Sequence, residues 1–172
     1  MHEDVQKILA RRSVRDFTAD PVNEEMLRDL LKAAMSAPSA ASADPWRFIV
    51  IRNPGLLARL SGTMPHPEAL TQARVGVVVC GDLEAAHRRQ LSYLLQDCSA
   101  AVENLLLAAS MSGLGACRLC IHPRQSRVEE ARQILQLPPT VIPVAAVALG
   151  FPRKLPQPRT RFDEKKVHQE IW

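Results

Sequence analysis

A fold of mixed α and β class, in one domain spanning residues 1–172, is predicted by three features of the sequence. Four short apolar runs rich in branched residues, at 46–52, 75–81, 116–121 and 141–149, read as strands of a buried sheet. Segments whose apolar residues recur at three and four alternate or cluster with them and read as covering helices. The chain has 172 residues, 47% hydrophobic and 23% charged, which is enough to bury a core and excludes disordered and fibrous classes.

The first helix is expected over residues 3–11, where Val5, Ile8 and Leu9 share a face, and it runs into the basic cluster Arg11, Arg12, Ser13, Arg15. Asn23 caps a second helix with Glu24 and Glu25 in its first turn, where carboxylates meet the positive end of the helix dipole. Leu27, Leu30, Leu31 and Ala34 form its buried face, and Pro38 stops it near Ala37. A small-residue loop over 38–45 leads to the first strand. A short helix is expected over 56–60, and the loop over 63–72 has no assignment from pattern alone. From Asp97 the residues Cys98, Ala101, Val102, Leu105 and Ala109 define a central buried helix that ends at Gly113 and Gly115. Ser126 with Glu129 forms a capping box for a helix to about Leu135, which Pro138 and Pro139 terminate. Pro143 must sit where the last strand needs no ladder donor. Residues 152–172 read as an extended C-terminal arm with a short helix over 163–171, an arm suited to embracing a second subunit.

No apolar run is long enough to span a bilayer, and the polar, acidic start lacks the pattern of a secretory signal, so a cytoplasmic protein is expected. The formal charge is +4, and residues 152–172 carry six Lys and Arg against three acids. With 4% aromatic residues there is little for base stacking, so a small anionic ligand fits better than nucleic acid. Cys80, Cys98, Cys117 and Cys120 are expected to be thiols. Cys117 and Cys120 point to opposite faces of a strand, so they make neither a redox pair nor a zinc site. The five histidines show no ligand spacing, and no nucleophile motif, Walker loop or dinucleotide fingerprint is present. No catalytic side chain and no metal are therefore expected, and that scarcity fits chemistry carried by a cofactor. Arg11, Arg12, Ser13 and Arg15 are equally explained as cations stabilising a helix C-terminus or as guanidinium forks for a phosphate.

In register along nearly the whole chain, 11–17, 37–50 with its Pro45 and Trp46, 113–117 and 148–152 resemble the nitroreductase family of FMN-dependent oxidoreductases. The resemblance implies an α+β fold, a central mixed sheet surrounded by helices, in an intertwined homodimer with FMN at the subunit interface. It favours the phosphate reading for Arg11, Arg12, Ser13 and Arg15. It places Pro38, Ser39, Ala40 and Ser42 in a loop from the partner subunit that borders the flavin ring. It sets the backbone amides of Leu114 and Gly115 near that ring, and Arg159 or Arg161, with Arg161 favoured, on the phosphate. The implied activity is NAD(P)H-dependent reduction of a small-molecule acceptor, a nitroaromatic or quinone, by ping-pong hydride transfer. A flavin-storage protein without turnover is the alternative.

Two departures from that pattern carry expectations. Ser42 and Asp44 stand where many members have Asn and Gln, and a negative Asp44 facing the flavin would disfavour its reduced form. The chain is also short for the family, which predicts open access to the substrate site.

Overall fold

Strands β1 (Trp46–Ile51), β2 (Val75–Asp82), β3 (Gly115–Cys120) and β4 (Val141–Gly150) form one sheet in the order β1-β2-β4-β3. The structure, a computed structural model, describes residues 1–172. All three ladders are antiparallel, where a mixed sheet was expected. The parallel pairing in the fold is a single bridge, Ser13 with Ala116, where the segment after the first helix runs along the outer edge of β3. There the Val14 N–H donates to the Ala116 carbonyl at 2.9 Å.

Because β2 and β4 are central and helices cover both faces, their residues are buried without alternation. One face packs Val75, Val77, Val79, Val147 and Leu149 against α2 (Glu24–Met35) and α5 (Leu91–Met111). The other packs Val78, Cys80, Ala146 and Ala148 against α3 (Pro54–Ser61), α4 (Pro67–Gln72) and α6 (Gln125–Leu135). Pro143 lies in central β4 without breaking it. It faces Cys80 at the register slip after Val79, beyond the last β3 partner at Ala145.

Asn23 caps α2 as expected, its Oδ1 accepting the Met26 N–H at 2.8 Å. Helix α1 (Glu3–Ala10) buries no residue, and Val5 and Ile8 are exposed on its surface. Helix α5 begins at Leu91, six residues ahead of Asp97, since Leu91, Leu94 and Leu95 extend its apolar stripe. The capping box at Ser126 does not form. Helix α6 starts at Gln125 with Arg124 as its cap residue, so the serine lies inside the first turn and Glu129 instead accepts from Gln125 Nε2 at 3.0 Å. Part of the unassigned 63–72 loop is α4, held by buried Ala69 and Leu70.

The arm leaves β4 through a bridge between Phe17 and Pro152. Arg153 fastens it, with Nε 3.1 Å from Asp16 Oδ1 and an Nη2 donating to the Phe17 carbonyl at 3.2 Å. The helix expected over 163–171 is a single 3-10 turn, Glu164–Lys166. Residues 157–172 are all exposed, so nothing within the chain supplies the packing that a short helix requires.

Candidate functional site

Helix α1 ends at Ala10, and the chain turns sharply so that Arg11 and Arg12 are half-buried at its C-terminal end. Arg12 donates to the backbone carbonyl of Gln157, tying the arm back over this corner. Arg11 Nε lies 3.4 Å from Glu103 on α5. The result is a cleft of about 210 Å³ lined by Ile8, Leu9, Arg11, Arg12, Arg159 and Arg161. Its wall carries four guanidinium groups and no carboxylate. Both late arginines, not Arg161 alone, reach it.

A second cavity of about 230 Å³ adjoins the first through Arg12 and is lined by Ala10, Val14, Ser110, Gly113, Leu114 and prolines of the arm. Gly113 takes φ +76°, the left-handed turn that closes α5. The Leu114 N–H is spent in that closure, donating to the Ala109 carbonyl at 2.8 Å, so Leu114 meets the cavity as an apolar wall. A Cβ on Gly115 would lie 2.8 Å from Val14 Cγ1, so its closest side-chain neighbour is the strap after α1. Ser13 and Arg15 are exposed beside this corner without lining either cavity.

Pro38, Ser39 and Ala40 belong to a different surface, a cavity of about 340 Å³ that they line with Tyr93, Gln96, Asp97 and Ala100 of α5. It shares no lining residue with the basic clefts. The loop is held internally: the Ala40 N–H donates to Asp97 Oδ1 at 3.0 Å, Ser39 Oγ donates to the Asp44 carboxylate, and the Asp44 N–H donates to Ser39 Oγ at 3.0 Å. Ala41, Ser42 and Asp44 all sit in left-handed backbone, at φ 54°, 53° and 46°. Ser42 is exposed and does not line the cavity. Asp97, missed as a site residue, carries a signal in the sequence after all: an acid within the buried stripe of a helix is rarely there for solvation.

All four cysteines are free thiols. Burial pushes Cys80 and Cys98 up to about 12 and raises Cys117, while Cys120 is exposed on the opposite face of β3. No group of His, Cys, Asp and Glu is arranged to hold a metal, and no helix is long and apolar enough to cross a membrane.

The chain and its fold are similar to known proteins. The family model "Nitroreductase family" matches residues 8–64 and 63–151. An Archaeoglobus fulgidus protein provisionally named NADH dehydrogenase/NAD(P)H nitroreductase is 35% identical over 175 residues, covering 100% of each chain. An FMN-dependent nitroreductase from Clostridium difficile R20291 superposes with a TM-score of 0.90 at 25% identity, covering 98% of this chain and 99% of that one. A Desulfovibrio desulfuricans protein solved in complex with FMN superposes at 0.85 and 29% identity, covering 100% and 99%. With a family model spanning most of its length and a full-length relative above 30% identity, this chain belongs to the nitroreductase family.

Proposed function

We propose that this chain is an FMN-dependent oxidoreductase that uses NAD(P)H to reduce an electron-poor acceptor, a nitroaromatic or a quinone, in alternating half-reactions. The observation that carries this reading is the cleft where Arg11, Arg12, Arg159 and Arg161 meet with no lining carboxylate. Four fixed forks of donors fit a doubly charged phosphate, whose oxygens they match two at a time. That donor set suits the phosphate end of FMN, and the adjoining wall of Val14, Leu114 and Pro158 suits its less polar part. Ser13 and Arg15 stand beside this corner as further donors. When bound, FMN supplies the hydride-accepting ring, and the chain supplies binding, orientation and field.

The Pro38–Ala40 loop lies on a separate surface, so the reading assigns it to the flavin of a second copy. The homodimer it requires is supported by apolar groups with nothing to cover them in one chain. Val5 and Ile8 of α1 and Phe162, Val167, Ile171 and Trp172 of the arm are exposed, Trp172 at 98%. Such side chains are favourably buried only against a partner. Between β2 and α5 there are only eight residues, 83–90, with a single 3-10 turn, His87–Arg89, whose His87 packs edge-on against Tyr93 of the loop surface, so the cover there is one turn and a flat acceptor meets little obstruction.

The test is the visible spectrum of the purified protein followed by NADPH or NADH without oxygen. Flavin bands that bleach, and return when a nitroaromatic or quinone is added, are expected. Bands that persist through both nucleotides would point instead to flavin storage, and a colourless protein that refuses added FMN would overturn the reading.

A further inference from the structure

Asp97 is 5% exposed, in the middle of a core stripe formed by Leu94, Cys98 and Ala101. Its Oδ1 accepts the Ala40 N–H, and its Oδ2 is the one buried side-chain polar atom in the molecule with no hydrogen-bond partner. No cation forms an ion pair with it. The basic group whose field reaches the neighbouring Cys98 is Arg47, and that guanidinium is taken up by Asp82 and by the carbonyls of Asp44 and Trp46. A buried acid with one donor on one oxygen is expensive, because the other oxygen has given up water for nothing. Tethering the Ala40 amide does not require that expense, since an asparagine Oδ1 accepts the same bond without a charge. The charge is therefore surplus to the local structure, and it lies one hydrogen bond behind the loop that, under the proposed function, borders the flavin ring.

We propose that Asp97 is a positioning residue for the flavin: Oδ1 fixes the Pro38–Ala40 loop, and the uncompensated charge makes the ring behind that loop harder to reduce. The proposal rests on the FMN reading above. The physical basis is the low local dielectric. A fixed negative charge there acts strongly on a ring that gains electron density on reduction, with little screening by water. The consequence is a weaker pull on the hydride of NAD(P)H and a stronger push toward the acceptor, so the residue apportions driving force between the two half-reactions. Asp44, at the other end of the loop, is exposed and already accepts from Ser39, so its influence is the smaller of the two.

Asp97→Asn and Asp97→Ser in the FMN-loaded protein test this, read by redox titration of the flavin and by FMN dissociation constants. In Asp97→Asn, oxidised FMN is expected to bind within about threefold of the parent, because the bond to Ala40 survives. Reduced FMN is expected to tighten about tenfold relative to oxidised FMN, a rise of about 30 mV in the two-electron potential. Asp97→Ser is expected to show the same rise with weaker binding of both forms, and either variant alone gives the potential if the other does not fold. A parent that binds FMN and an Asp97→Asn variant at the parent's potential would overturn this proposal and leave the proposed function standing. A parent that takes up no FMN overturns both.

Discussion

At the end of α1, Arg12 and the carbonyl of Gln157 meet across 145 residues of chain, and four guanidiniums line one cleft with nothing negative in its wall. At the loop after α2 the reverse holds: Ser39, Ala40, Asp44 and Asp97 bond to one another, and the charge there is negative and buried. In the first region Glu103 pairs with Arg11 and the Gln157 carbonyl takes Arg12, while Arg159 and Arg161 have no carboxylate within ion-pair distance. In the second, the left-handed turn at Ala41, Ser42 and Asp44 is held by hydrogen bonds within the loop, and Asp97 Oδ2 is the one buried side-chain polar atom left without a partner. The two share no lining residue within one chain, which is why the proposed function draws the loop from a second copy.

Breaking the first region is expected to have the largest effect. Arg12 lines both basic cavities and holds the arm, so Arg12→Ala removes charged hydrogen bonds and the tie together. FMN binding should weaken by about 10- to 100-fold, measured by fluorescence quenching of FMN titrated with protein. Breaking the second region is milder. Ser39→Ala deletes the bonds between half-buried Ser39 and exposed Asp44, so the loop loosens at a cost of about 1 kcal/mol and FMN binding falls about threefold to fivefold by the same titration.

A third prediction sharpens the contrast by leaving both regions intact. Cys80 and Cys98 stay protonated in the fold up to about 12, whereas unfolding returns them toward the ordinary thiol value of 9.0. Above pH 9 the unfolded chain loses these protons and the folded one does not, so stability falls as pH rises from 9 toward 12. Urea unfolding at pH 8 and pH 10 should show this fall, and a native thiol titration should find Cys120 reactive while the buried three stay silent. The smallest expected effect is Asp44→Asn, a positive shift of the flavin potential below that of Asp97→Asn; no positive shift would remove Asp44 from the electrostatics of the site.

What the sequence reveals divides along the same line as the two regions. Local rules carry the strands to within one or two residues, the Asn23 cap, the stop of α2 and the basic corner, because branched apolar runs, caps and charge clusters act over a few residues. Long-range contacts decide what those rules misjudge. Helix α6 starts ahead of Ser126 and uses no side-chain cap, α5 runs back to Leu91 beneath an apolar stripe interrupted by Ser92 and Gln96, and the arm has no surface in its own chain on which to form a helix. Asp97 belongs to this second group: its role depends on Ala40, 57 residues away. The basic cluster at the end of α1 was legible as charge, but its gathering with Arg159 and Arg161 into one cleft is tertiary; Asp97 shows in sequence only as an acid within an apolar stripe, and its bond to Ala40 is tertiary too.

Whether one flavin site is built from the basic corner of one chain and the Pro38–Ala40 loop of another is decided by mixing two damaged subunits. Arg12→Glu ruins the first surface and Ala40→Trp fills the second, and each homodimer should bind no FMN. In the mixed dimer one site carries both lesions and the other carries neither, so the account predicts that one FMN per heterodimer returns, counted by absorbance after isolation through two different tags. A heterodimer that stays empty would show that both surfaces serve a site within one chain and would contradict the account.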